Sequence, residues 1–483
     1  MNVRRTGLVL KANAARVLFR PLHPGGDQRW LRIISRVLEL SAREVTETLA
    51  QVLAEFGPRH QRMHEYFLKR FESVRPLLPT DLPLSEERRL LLGSYFTHEY
   101  SLEAAALFNP SIVPHPDQSG TEPGAVRFVL SLRATGEGHI SSITFRTGVV
   151  DAAGEVRIDE PSRFVTAPDR VLNATYEKKL FLRKLEELAM TGGIAEALLE
   201  ALPENFTVEQ LMEKGAAWVR ETRPRPADAE LKVSRILNLA QSNYEVLYTA
   251  DQPLTERVIF PVSPSESNGI EDARFVRFVE EDGTPSYIAT YTAYDGRFTF
   301  PQLLETDDFL RFRISTLNGP EVQNKGMALF PRRVGGRYAM ISRQDGENLY
   351  LMYSDDLHFW HTKTPLLRPT YPWEFVQIGN CGSPLETEAG WLVISHGVGP
   401  MRKYSLGAFL LDRDDPSRVL ARLPEPLLSP DETEREGYVP NVVYSCGAMI
   451  HSGRLILPYA MSDSATSFAT VPVAELLAAM RFL

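Results

Sequence analysis

Tyr353-Ser354-Asp355-Asp356-Leu357-His358-Phe359-Trp360 ends a strand-like run, bends through two aspartates and leads into a pair of aromatics. An aspartate turn followed by a large aromatic suits the edge of a propeller blade, where the ring packs against the neighbouring sheet. The surroundings repeat the pattern. From Arg257 onward, short β-branched and aromatic runs recur at 275–279, 287–291, 328–330, 338–342, 349–354, 391–396, 406–411 and 455–459, most of them separated by turn residues. Many short, evenly spaced strands in a long chain favour radial repetition, which protects strand edges, over a single sandwich. Upstream, 126–132 and 140–150 read as consecutive antiparallel strands around Gly136-Glu137-Gly138. The stretch 7–19 reads as an isolated strand that joins a sheet formed much later in the chain.

Two segments break this grammar. Between 27 and 95 the spacing is helical, with Trp30, Ile33, Ile34, Val37 and Leu38 on one face. Ser41 with Glu44 forms a capping-box signature for a helix bearing Val45, Leu49, Val52 and Leu53 and ending at Phe56-Gly57-Pro58, and a third helix carries Met63, Tyr66, Phe67, Phe71 and Val74. Between 172 and 248 the helical period returns with Tyr176, Leu180, Leu185 and Leu188, and with a Thr207 to Gln210 capping box. The expected organisation is an N-terminal strand and helical extension over 1–99, then a β domain over 100–483 with a helical insertion at 172–248. Apolar faces at Trp30, Tyr66 and Phe71 suit intramolecular packing first, and otherwise a cover over the site or a homo-oligomer contact.

Composition narrows the partners. A formal charge of -9 repels nucleic acid phosphate, and no apolar run is long enough to span a bilayer. The only cysteines are Cys381 and Cys446, too few for a disulfide framework, and Met1-Asn2-Val3-Arg4-Arg5 leads into no apolar secretory core, so a cytoplasmic protein is expected. His60 and His64 share a helical face, but only His98 is near them in sequence, so no metal is assigned. Walker-type glycine loops, a Gly-x-Ser-x-Gly elbow and a His-Glu-x-x-His pair are missing from the sequence. No cofactor is expected, and the expected ligand is a small, neutral one.

The polar clusters that converge at strand ends are the candidates for chemistry. Asn109-Pro110-Ser111 offers an amide and a hydroxyl, and Arg133 ends the run Phe128-Val129-Leu130-Ser131-Leu132. Ser267-Asn268-Gly269-Ile270-Glu271-Asp272-Ala273-Arg274 sets two adjacent carboxylates beside an arginine. In β conformation the two point to opposite faces, so one is free for chemistry while the other anchors the arginine. Lys325 and Arg343 flank a hairpin and together suit an anion, while Glu386, Glu436 and Asp463 are each a candidate second carboxylate. Paired carboxylates with arginine and amide donors are what cleavage of a glycosidic bond requires: an acid for the leaving oxygen and a base for the incoming water.

Asn109-Pro110-Ser111, Gly269 to Arg274, Asn324-Lys325-Gly326-Met327-Ala328-Leu329-Phe330-Pro331, Gly390-Trp391-Leu392-Val393-Ile394-Ser395-His396-Gly397-Val398 and Val439-Pro440-Asn441-Val442-Val443 occur in one order. That ordered set resembles glycoside hydrolase family 130, the β-mannoside phosphorylases and β-1,2-mannosidases, over about residues 100–160 and 258–475. The resemblance implies a mainly β, five-bladed β-propeller with the site on its axis. It implies Asp272 as the catalytic acid, acting in the phosphorylases through a sugar hydroxyl, and Asn109, Arg133 and Asp463 as holding the mannosyl unit, with Arg274, Lys325, Arg343 and His396 as further substrate-binding candidates. Where family phosphorylases place a phosphate-holding lysine, this chain has Glu386 in Ser383-Pro384-Leu385-Glu386-Thr387. A carboxylate there repels phosphate and orients water. The expectation is therefore an inverting β-mannosidase, acting on β-1,2-linked manno-oligosaccharides with Asp272 as acid and Glu386 or Glu436 as base. The alternatives are a phosphorylase that takes inorganic phosphate as co-substrate and forms mannose 1-phosphate, and a glycan-binding propeller without chemistry.

Overall fold

The computed structural model describes residues 1–171, 175–188, 190–222 and 228–483. The chain is mainly β, and among the described residues five of its seven antiparallel sheets, those of four or more strands, follow one another along it. The first holds Ala106–Pro114, Val126–Thr135 and Ser141–Val150, with Val156–Ile158 and Val258–Ile259 both paired to the last of these. The second runs Ile270–Val279, Pro285–Tyr294, Thr299–Thr306 and Arg311–Thr316. The third runs Ala328–Leu329, Tyr338–Ser342, Leu349–Ser354 and Lys363–Leu367. In the fourth, Gln377–Asn380 and Leu385–Thr387 both pair with Gly390–Val398, followed by Tyr404–Leu411 and Val419–Arg422. In the fifth, Val443–Tyr444 and Met449–His451 pair with Arg454–Met461, which pairs with Ala465–Pro472.

Each sheet shares an apolar core with the next. Val129 and Phe145 meet Phe275 and Tyr287 between the first and second; Phe278 and Leu303 meet Met340 and Met352 between the second and third. Ile341 and Leu351 meet Trp391 and Phe409 between the third and fourth, and Ile394 and Leu406 meet Leu455 and Tyr459 between the fourth and fifth. A further core joins Leu130 and Leu132 of the first sheet to Ile456 and Phe468 of the fifth. Trp360 is wholly buried in the core between the second and third sheets. Its turn forms as the aspartates dictate: Asp356 Oδ1 accepts from His358 N at 2.8 Å, and Trp360 Nε1 donates to Leu357 O at 2.8 Å.

The early strand expectation resolves into two pieces. Arg4–Leu10 pairs with Ala465–Pro472 in the fifth sheet, whereas Val17–Pro21 pairs with Thr97–Ser101. Between those last two strands lie four helices, Asp27–Glu39, Ala42–Phe56, Met63–Val74 and Glu86–Tyr95. The Ser41 and Glu44 capping box is present. His60 does not pair with His64; it stacks on Phe19 and meets Glu99 at 2.7 Å.

The second helical segment comprises Lys178–Glu187, Gly193–Glu200, Val208–Glu221 and Ala229–Gln241 around a separate core. The Thr207 and Gln210 box is formed, while the expected start at Leu172 lies outside the described residues. The segment's flanks are not helical: Tyr244–Leu247 pairs with Arg311–Thr316, and Asp169–Val171 pairs with Tyr244–Leu247, so they widen the second sheet. Among the described residues no helix is long and apolar enough to cross a membrane.

Candidate active site

Asp272 lies where Ile270–Val279 slips register against Pro285–Tyr294, between Glu271 and Arg274, and its φ is 56°. Asn109 occupies the same kind of break on Ala106–Pro114, between Phe108 and Ser111, at φ 49°. A bulge bends the strand and re-aims one side chain out of the ladder, and Asp and Asn tolerate the left-handed backbone better than most residues. The two re-aimed side chains meet: Asn109 Nδ2 donates to Asp272 Oδ1 at 2.6 Å, and both residues are buried. The rest of the Asn-Pro-Ser stretch fastens the sheets around them. Cys446 N donates to Pro110 O at 2.8 Å, and Phe275 N donates to Ser111 Oγ at 3.0 Å.

The bulge also corrects the expectation that Glu271 and Asp272 face opposite ways. Both reach Arg133, whose Nη2 donates to Glu271 Oε1 at 2.9 Å while Nη1 lies 3.6 Å from Asp272 Oδ1. Glu271 also faces Lys325, at 3.6 Å. It therefore anchors Arg133 and Lys325 rather than Arg274, which donates to Asp272 O at 3.3 Å and to the Tyr444 hydroxyl at 2.5 Å. The approach to the bulge is fixed from below. Gly269, at φ 119°, runs so close to the first sheet that a Cβ there would sit 2.7 Å from Ser141 N. Fully buried Glu266 accepts from the Tyr291 hydroxyl at 2.7 Å and from the amides of Val262 and Ser263 at 3.1 Å.

Asp463 stands in the turn between Arg454–Met461 and Ala465–Pro472 at φ 52°. Burial, with Asp272 adding to it, pushes its carboxyl up to about 6. Asp272 moves the other way. Burial opposes its ionisation, but Arg133, Lys325, Arg274 and the Asn109 amide together hold it below the usual carboxylate range. His396 is buried, and burial together with Arg343, Arg274 and Lys325 keeps its imidazole neutral. It packs edge-on against Tyr444, with ring centroids 4.9 Å apart.

Arg343 is buried and donates from Nη1 to the Gln377 amide oxygen. Among the described residues neither Arg343 nor Arg274 has a carboxylate side chain within ion-pair distance, and the Nε of each is buried without an acceptor. A buried guanidinium without a counter-ion is costly unless something anionic pairs with it. Two of them converge on His396 and Tyr444 beside Asp272.

The two expected bases are elsewhere. Glu386 lies on Leu385–Thr387, paired with Trp391, while His396 is five residues further along the same partner strand, about 17 Å away at the rise of a β-strand. Its carboxylate is held by Arg332, at 3.0 and 2.6 Å, and by Arg413, at 3.1 Å. It neither repels an anion at the site nor orients a water there. Glu436 is exposed on the loop before Val443–Tyr444, with no hydrogen bond or ion pair to any of the groups around Asp272. Asn109, Arg133, Asp272, Arg274, Lys325, Arg343, His396 and Asp463 are thus brought together, and Glu386 and Glu436 are not.

Sequence reasoning missed Tyr444 and Asn380. Asn380 Nδ2 donates to Gly326 O at 2.6 Å, locking the backbone next to Lys325. Tyr444 directly follows the Val439 to Val443 stretch, so its position was the one available signal.

Known proteins share much of this sequence. A family model described as beta-1,4-mannooligosaccharide phosphorylase matches residues 227–482. The chain is 32% identical over 234 residues to the 1,2-beta-oligomannan phosphorylase of Thermoanaerobacter sp. (strain X514), covering 46% of this chain and 75% of that one. It is 33% identical over 221 residues to a beta-1,2-mannobiose phosphorylase of the same organism, covering 43% and 68%. Among solved structures, the beta-1,2-mannobiose phosphorylase of Listeria innocua in complex with beta-1,2-mannobiose aligns over 78% of this chain and 92% of that one, at 21% identity and a TM-score of 0.46.

Proposed function

This chain belongs to glycoside hydrolase family 130, and from that premise we propose that it is a β-mannoside phosphorylase, acting on β-1,2-linked manno-oligosaccharides. The expectation of hydrolysis is the less well supported of the two. It rested on Glu386, which is tied to Arg332 and Arg413, and the curated relatives matched by the chain are phosphorylases. The observation that carries phosphorolysis is the pair of buried guanidiniums, Arg274 and Arg343, without a carboxylate partner beside Asp272. With Lys325 they make a cationic pocket suited to inorganic phosphate, and the neutral His396 adds a donor without adding charge. Arg133, Asn109 and Asp463 are assigned to the mannosyl unit. The five consecutive sheets, each sharing a core with the next and the fifth with the first, support a five-bladed propeller with this site on its axis. The helices within 27–95 and 178–241 are additions to it.

A phosphate oxygen attacks the anomeric carbon from the face opposite the leaving oxygen. The glycosidic bond breaks, the leaving oxygen takes a proton originating on Asp272, relayed through a sugar hydroxyl, and mannose 1-phosphate of inverted configuration is released with the shortened sugar. The low proton affinity of Asp272 in the free protein has a use in this scheme. Phosphate bound by Arg274, Arg343 and Lys325 offsets two of the three cations that depress it, so Asp272 becomes competent to carry a proton once phosphate is present.

The test is product analysis on β-1,2-mannobiose with and without phosphate. Phosphate-dependent formation of mannose 1-phosphate is expected; release of free mannose at a rate indifferent to phosphate would return the protein to the hydrolases.

A further inference from the structure

Tyr438 is among the most exposed large side chains of the protein, at 73%, yet its backbone is closely held. Val439 N donates to Ser462 O at 3.2 Å, and Gly437 lies so near that a Cβ there would sit 2.2 Å from the same oxygen. Ser462 precedes Asp463, so Tyr438 projects from a backbone fastened beside the raised carboxyl of the site. Its ring faces His139, with centroids 5.7 Å apart and planes tilted by 32°. His139 is also exposed and sits at φ 59° on the tip of the hairpin whose strands carry Arg133 and Ser141. That tip is braced from beneath by Tyr100, whose hydroxyl donates to Glu137 O at 3.0 Å and to Ile140 O at 3.2 Å. Two aromatic rings, one on the first sheet's hairpin tip and one on the loop leading into the fifth, therefore meet in solvent, each on backbone close in sequence or contact to Arg133 or Asp463. Neither is buried by the contact, so the fold gains little from it.

We infer that Tyr438 and His139 form a sugar-binding platform at the mouth of the site, taking a pyranose ring on the acceptor side of the substrate. A rigid, amphipathic aromatic face suits the apolar C–H face of a pyranose while leaving its hydroxyls in water. The hairpin rises two residues, about 7 Å, from Arg133 to Thr135 before the turn that carries His139. This height places the platform beyond the sugar next to the scissile bond, so it acts on substrates of three or more units. The inference rests on the β-mannoside assignment above.

Binding is measured by titration calorimetry in an Asp272→Asn background, in which oligosaccharides bind without turnover, using β-1,2-linked mannobiose, mannotriose and mannotetraose. Adding Tyr438→Ala is expected to weaken the tri- and tetrasaccharide about tenfold and the disaccharide less than about twofold, with Tyr438→Phe restoring the parent affinities. Equal affinities with and without the Tyr438 ring, or an equal loss at every length, would overturn the platform. If the parent binds none of the three, the β-mannoside assignment itself falls and the platform with it, whereas binding by the parent with no effect of Tyr438→Ala removes the platform alone. Melting curves of each variant confirm that the fold is kept.

Discussion

Asn109 Nδ2 and Asp272 Oδ1 lie 2.6 Å apart, each delivered by a left-handed residue at a register break in a different sheet. The contact adds a neutral donor to a carboxylate that burial would raise and that Arg133, Lys325 and Arg274 pull down. Removing the amide frees Asp272 to rotate, and alanine fits the left-handed backbone at φ 49° less well than asparagine does. Asn109→Ala is expected to lower kcat for phosphorolysis about 100-fold, because misplacement on the ångström scale costs that much in a positioned reaction. Initial rates of mannose 1-phosphate release test this; a rate within about twofold of wild type would show that the amide does not position the acid.

Arg343 stands in the pocket as an uncompensated buried cation. Arg343→Met is expected to raise the KM for phosphate at least tenfold. It is also expected to stabilise the phosphate-free protein by about 1–2 kcal/mol, since an apolar side chain replaces a charge lacking a partner. In wild type, phosphate at ten times its Kd adds about 1.4 kcal/mol, and in a variant that binds it tenfold more weakly the same phosphate adds about 0.4 kcal/mol. Denaturant melts with and without phosphate read both effects.

Asp463 supplies a pH signature. Its folded value of about 6 lies above the ordinary 3.8. Between these values the folded protein binds a proton that the unfolded chain has released, so the group's contribution to stability falls as pH rises from about 4 to about 6 and stays low above that. Asp463→Asn removes this limb, and asparagine accepts the left-handed backbone. The variant is expected to be about 1–2 kcal/mol more stable than wild type at pH 7 and equal to it near pH 4, while losing most activity. Stability differences that do not change with pH would show that the carboxyl is not held protonated.

A Glu386 variant tests water against phosphate as the nucleophile. It is a partly exposed carboxylate shared by Arg332 and Arg413, and such pairs contribute about 0–1 kcal/mol. Glu386→Ala is expected to leave phosphorolysis within about twofold of wild type. A loss of several orders of magnitude would restore it as a base.

Trp360 tests the core. Its indole is wholly buried between the second and third sheets, with Nε1 bonded to Leu357 O. Trp360→Ala is expected to cost about 3–5 kcal/mol in denaturant unfolding, with KM unchanged in the fraction that remains folded.

Much of this was legible in the chain. The aspartate turn before Trp360 and the short strands around it announced sheets that pack through aromatics, because turn chemistry and strand periodicity are local properties. The site's members were legible as types, since Asn109, Asp272 and Asp463 are polar residues in conspicuous clusters among apolar runs. Their geometry was not. Strict alternation put Glu271 and Asp272 on opposite faces, and only the bulge, set by pairing with Pro285–Tyr294, turns both toward Arg133. Glu386 misled for a related reason: its place in the sequence suggested the site, but it pairs with Trp391, at the far end of the strand that carries His396. Tyr438 gave no signal, because an exposed aromatic on a loop has meaning only once its neighbour across the mouth is known.

The pairing of Arg4 with Thr470 and of Leu10 with Thr466 carries a cost in time rather than in energy. More than 450 residues separate the two strands, so the first stays unpaired until the second has been made. Asn109 and Asp463 share this delay, since the sheets that carry them share a core although more than 350 residues separate the two side chains. Nascent chains cannot cleave a mannoside on the way out.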